Sequence, residues 1–334
     1  MTTQPDHDDA ADGGLHTPRG HRRQRGLDRR ARVRSAANAT GGVLTLTHLR
    51  ELGVSYDETR AEVDAARWHR VGRRTISVVG PLPASDVALG WRAVWDVGGD
   101  ACLDGVSSLL AWGLTRWSTD RVHVSVPRTA RYHRVDGVTV HVLRRRGRVV
   151  VGSGVPRTPP EVAALRAAMW ARTDREAATV LAIGVQQRIV HPARMLAAWS
   201  AIARCPRQPL LSRLVPLVAD GAQALSELDF AELGRARGWP EPDRQVVVTT
   251  PRGRRYLDVR FTRYSTICEV NGVQHYEGMA TMDDALRRNA HAIGGDTALE
   301  IPAVALVLDP DPLLDQVEQA LRRGGWQGPT HVLR

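Results

Sequence analysis

Residues 256–277, YLDVRFTRYSTICEVNGVQHYE, decide how the last third of this 334-residue chain reads. Two runs of alternating character, YLDVRF and TICEV, flank a turn at Arg263, Tyr264 and Ser265. Successive strand side chains point to opposite faces, so Leu257, Val259 and Phe261 share one face and Asp258 takes the other. In the second run Ile267, Glu269 and Asn271 share a face, opposed by Val270. Asp258 and Glu269 thus sit on paired strands and can come side by side across the ladder. Two carboxylates so placed repel each other unless a cation lies between them. Gly272 breaks the second strand, with Asn271, Gln274 and His275 around it. Oxygen donors in this pattern suit a hard cation such as Mg²⁺. A polar strand face turned to water is the other reading of the same spacing.

Outward from this stretch, the signals describe a C-terminal domain over residues 221–334. Ser226 caps a helix, ELDFAELGRARG, which carries Glu227 in its first turn and ends at Gly238. A strand, QVVVTT, precedes the hairpin. A helix over 282–293, a buried strand AVALVL and an amphipathic helix over 313–323 follow it. Helices before, within and after the strands predict a three-layer α/β sandwich.

The rest of the chain reads as three segments. Residues 1–37 place an acidic patch before a run of arginines and predict a tail that is disordered, or only partly helical near its end, and able to grip phosphates. Residues 38–80 predict a small helical unit with a two-stranded wing. Thr47 caps its first helix, and Ser55 with Glu58 forms a capping box for the second, which runs to about Arg67. That second helix is acidic and would be repelled by phosphates, which leaves the wing and Arg67, Arg70, Arg73 and Arg74 as the DNA contact, or a protein-binding role for the unit. Residues 81–220 combine strands VHVSVP and VTVHVL with helices, one opened by a capping box at Thr158–Glu161. Ser107 with His123 or His141 offers a nucleophile and a base, but no third group or elbow motif accompanies them. The fold class is α/β within a multi-domain α+β chain.

A net charge of +10 favours polyanionic partners. All 46 basic residues are arginine, so no lysine can take part in chemistry. Cys102, Cys205 and Cys268 form no CxxC pair and fit a reducing cytoplasm. No apolar run is long enough for a membrane span, and the N-terminus has no secretory h-region.

Two resemblances sharpen these expectations. GGVLTLTHLRELGVS and RWHRVGRRTISVVG resemble the winged-helix domain of AbiEi-type antitoxins, which implies DNA binding and a toxin or other protein partner. The order Ser226-Glu227, Asp258, Glu269-Val270-Asn271-Gly272, His275, Asp283-Asp284 and Arg287-Arg288-Asn289 is similar to a very-short-patch-repair-like endonuclease domain of the PD-(D/E)XK, restriction-endonuclease-like superfamily. The pairing of the two is common in actinobacteria. The likeness implies a Mg²⁺-dependent DNA endonuclease. In it Asp258, Glu269 and Glu227 hold the metal, His275 acts near the scissile phosphate, and Arg287 or Arg288 holds that phosphate. Asn271 stands where lysine is frequent in the superfamily; it can position a water but cannot act as a base. That departure leaves two readings open, a nuclease using His275 as base and a non-catalytic DNA-binding regulator of the type IV antitoxin class.

Overall fold

The computed structural model describes residues 18–81, 85–151, 154–219, 230–249, 255–271, 285–286, 289 and 297–328. These form a mixed α and β structure in two compact units, residues 1–96 and 97–334.

In the first unit the order is α1 (Pro18–Ala37), β1 (Val43–Thr45), α2 (Leu46–Glu51), α3 (Tyr56–Asp64), β2 (His69–Arg70), β3 (Thr75–Ser77) and α4 (Asp86–Val97). The strands make an antiparallel sheet in the order β1-β3-β2. Ser55 and Glu58 exchange the two hydrogen bonds of a capping box at the start of α3. The cap of α2 is Thr45 rather than Thr47: its hydroxyl accepts from the His48 amide at 3.2 Å. Of the tail expected over 1–37 as disordered or only partly helical near its end, residues 1–17 lie outside the described residues, and from Pro18 on the chain is a helix of 20 residues. Its last turns bury Val33 and Ala37 with Leu49, Trp68 and Ile76. Charge fixes it there. Arg29 and Arg30 reach Glu62 on α3, each at 3.2 Å, Arg67 reaches it at 2.5 Å, and Arg29 also pairs with Glu58.

The second unit begins with β4 (Cys102–Leu103), α5 (Gly105–Ala111), β5 (Val122–Pro127) and β6 (Val138–Leu143), with β5 between β4 and β6. β5 and β6 run parallel, with Val122 opposite Val138 and Pro127 opposite Leu143. Helices α6 (Pro160–Trp170), α7 (Asp174–Gln186), α8 (Pro192–Ser200) and α9 (Gln208–Ala219) follow. Thr158 does not cap α6; its hydroxyl donates to the buried Asp104 at 3.0 Å.

The last sheet has the order β10-β9-β8-β7, from β7 (Arg244–Thr249), β8 (Arg255–Phe261), β9 (Thr266–Asn271) and β10 (Thr297–Pro302). β7, β8 and β9 are antiparallel in turn, and β10 runs parallel to β9. Ser265, with φ +48°, turns the chain from β8 into β9. Helix α10 (Phe230–Ala236) precedes the sheet, while α11 (Ala303–Leu308) and α12 (Asp311–Arg323) follow it. One core runs from Leu109 to Trp326. It joins the middle helices to Leu257, Val259, Phe261, Val270, Leu299 and Ile301.

The AVALVL run, expected as a buried strand, is α11; the strand is the preceding TALEIP. A short apolar run between breakers suits a buried helix as well as a buried strand. TALEIP has the period of two that a half-buried strand needs, with Leu299 and Ile301 buried and Ala298 and Glu300 less so. Among the described residues, no helix is long and apolar enough to cross a membrane.

Candidate metal and nucleic-acid site

Sheet register builds the site. Asp258 on β8 is the partner of Glu269 on β9, and Glu269 is the partner of Glu300 on β10. Register partners project to the same face and stand about 5 Å apart at Cα. Three carboxylates on adjacent strands therefore form a row. The opposite face carries Leu257, Val270 and Ile301 into the core. Asp258 is 3% exposed, while Glu269 and Glu300 are half-buried. Asn271, two residues along β9, is buried on the same face.

Arg260 lies two residues beyond Asp258 and so shares its face. Its Nη2 is 3.0 Å from Asp258 Oδ2, and its Nε donates to both carboxylate oxygens at 3.0–3.1 Å. A guanidinium thus already neutralises the most buried carboxylate of the row. At the β10 edge Asn289 clamps Glu300. Its Nδ2 donates to the Glu300 carbonyl at 2.8 Å, and its Oδ1 accepts from the Glu300 amide at 2.9 Å. A strand edge satisfied this way holds its register. Cys268, on the core face, has its thiol pushed up first by burial and then by the charge of Asp258, which makes it an inert core residue.

Glu300, Arg260 and the clamp by Asn289 were not assigned from sequence. A signal for Arg260 was present, since it stands at i+2 from Asp258. Glu300 was hidden because the strand was placed one segment too late. The expected ligand Glu227, the expected base His275, and Arg287 and Arg288 lie outside the described residues. The donor chemistry of the row suits a hard cation. Among the described residues, however, no group of three or more His, Cys, Asp or Glu side chains is arranged to hold a metal ion.

Arg70, Arg73 and Arg74 are exposed on the β2–β3 hairpin of the first unit. Asp96 on α4, 1% exposed, anchors that turn: its Oδ1 accepts from the Arg74 amide at 2.8 Å and its Oδ2 from the Thr75 hydroxyl at 3.0 Å. The acidic face of α3 is partly neutralised within the unit, because Glu58 and Glu62 are engaged by arginines.

Ser107 and the two histidines do not make a nucleophile and base. The Ser107 hydroxyl accepts from the His123 amide at 2.8 Å. His123 Nδ1 and His141 Nε2 are 3.1 Å apart, and the His141 ring lies flat on Trp170 at 3.4 Å. Burial lowers both histidines, His141 to about 4 with help from the neighbouring His123 and Arg166.

No known family model matches this chain, and no curated protein sequence matches it.

Proposed function

We propose that the polar face of the β7–β10 sheet is the site of a Mg²⁺-dependent DNA endonuclease of the very-short-patch-repair-like type, which hydrolyses phosphodiester bonds. The register that sets Asp258 beside Glu269, with Glu300 next in line, carries this reading. Asp258 and Glu269 would hold the ion, with Glu227 as a further ligand. When bound, the ion supplies charge neutralisation of the phosphodiester and a lowered pKa for an attacking water. Asn271 orients water through its amide, His275 takes the proton, and Arg287 or Arg288 holds the phosphate. The first unit serves as the targeting module. Its order of short strand, two helices and hairpin supports a winged-helix reading, and its exposed Arg70, Arg73 and Arg74 suit phosphate contact.

A specific observation favours a second reading. Arg260 pairs with Asp258 on the polar face, as a retained scaffold would have it. In that case the chain is a non-catalytic DNA-binding regulator of the antitoxin class. Incubating the full chain with supercoiled plasmid and mismatched duplex in Mg²⁺ separates the two. Cleavage is expected. No cleavage across metals and substrates, together with a shift of its own promoter DNA that survives Asp258→Ala, establishes the regulator instead.

A further inference from the structure

We infer that the end of the β5–β6 pair is a second polynucleotide-binding surface, made by six exposed arginines on two segments. It rests on the proposed reading only in taking DNA as the polyanion. Because β5 and β6 run parallel with Pro127 opposite Leu143, the chain leaves both strands at the same end of the sheet. What leaves is RTARYHR after β5 and RRRGR after β6. The Arg128 amide still donates to the Leu143 carbonyl at 3.0 Å, so the two segments start side by side and form a ledge. Arg128, Arg131, Arg134, Arg144, Arg145 and Arg148 are all exposed, and none forms an ion pair among the described residues.

The backbone beneath them is held. The His133 amide donates to the Val97 carbonyl at 2.9 Å. A Cβ on Gly99, whose φ is +60°, would lie 2.7 Å from the Arg131 carbonyl oxygen, so the first segment packs tightly on this turn. On the second segment, Arg166 donates to the Arg146 carbonyl at 2.6 Å and Arg146 donates to the Asp100 carbonyl. Arg166 is itself fixed by the fully buried Asp104, at 2.6 Å. One arginine thus spends its charge on holding the backbone while its neighbours keep theirs in solvent. Guanidinium forks match phosphate oxygens in a bidentate geometry. Thr129 and Tyr132, both exposed between the arginines, add hydroxyls of the kind that bond phosphate and sugar, which favours a polynucleotide over a lipid surface.

The test is binding of the full chain to a fluorescent DNA duplex in chelator, read by anisotropy across a salt series. Two triple variants, Arg128→Ala/Arg131→Ala/Arg134→Ala and Arg144→Ala/Arg145→Ala/Arg148→Ala, should each weaken binding at least about tenfold at low salt. Each should also flatten log K against log salt by up to about 0.9 for every phosphate that is no longer neutralised. The exposed set Arg194→Ala/Arg204→Ala/Arg213→Ala removes the same charge elsewhere on the unit and should leave the slope as in wild type. Lysine in place of each ledge arginine should keep the slope, which separates removal of charge from damage to the fold. An equal loss in the control set, an unchanged slope in both ledge variants, or tighter ledge-dependent binding to phosphatidylserine vesicles than to duplex overturns the inference. Cleavage in Mg²⁺ is read separately. A chain that binds through the ledge but cuts nothing removes the nuclease reading and leaves this one standing.

Discussion

Asp258 on β8 stands directly opposite Glu269 on β9, and the Arg260 guanidinium neutralises Asp258. A metal ion held by Asp258 would compete with Arg260 for the same oxygens. Arg260→Ala should therefore tighten Mg²⁺ or Mn²⁺ binding, measured by titration calorimetry. In metal-free buffer the same variant should lose about 1–3 kcal/mol of stability, because a buried carboxylate loses a charged partner. Unchanged metal affinity would show that Arg260 does not guard the site.

Glu62 ties α1 to α3. Burial raises its carboxyl, but hydrogen bonds from Arg67 and Arg29 and the charges of Arg30 and Arg67 more than offset this, and the group ends below its ordinary 4.5. A carboxyl lowered on folding stabilises the folded state above its unfolded pKa, and this is lost as pH falls through the folded value. Glu62→Gln should cost about 1–3 kcal/mol at neutral pH. It should also flatten the acid limb of the melting curve below pH 4.5. A variant as acid-sensitive as wild type would assign that limb to other groups.

His141 runs the other way in charge. Its folded pKa of about 4 lies below the ordinary 6.5, so folding favours the neutral ring. The unfolded chain binds more protons between those values, and stability is intact above pH 6.5 and lost as pH falls toward 4. His141→Phe keeps a ring on Trp170 and should remove most of that slope in denaturant titrations at stepped pH. A persisting slope would point to His123.

Gly72 is required by its neighbour. A Cβ there would lie 1.6 Å from Asp96 Oδ2, and that carboxylate is fixed by Arg74 and Thr75. Gly72→Ala should destabilise the first unit by about 1–3 kcal/mol. A thermal melt unchanged from wild type would mean that Asp96 moves aside freely.

The pairing of Asp258 with Glu269 was legible in the sequence because its cause is local. Alternation assigns Asp258 and Glu269 to polar faces, and a short turn at 263–265 sets their register. The third carboxylate was not legible, because Glu300 joins the row only through a parallel pairing across 25 intervening residues, from 272 to 296. No local pattern announces such a pairing. AVALVL drew the strand assignment because apolar runs are ambiguous by period, and tertiary packing decided for a helix. The arginines of α1 read as a solvated arm because their partners, Glu58 and Glu62, are about thirty residues away.

Whether the carboxylate row cuts DNA is decided by plasmid and mismatched-duplex cleavage in Mg²⁺. Wild type is run beside Asp258→Asn, Glu269→Gln and Glu300→Gln, near-isosteric changes that remove one charge each. Wild type should cleave, the first two variants should lose at least about 100-fold, and Glu300→Gln should lose less. Full activity in Asp258→Asn or Glu269→Gln would contradict a metal site built on this pair.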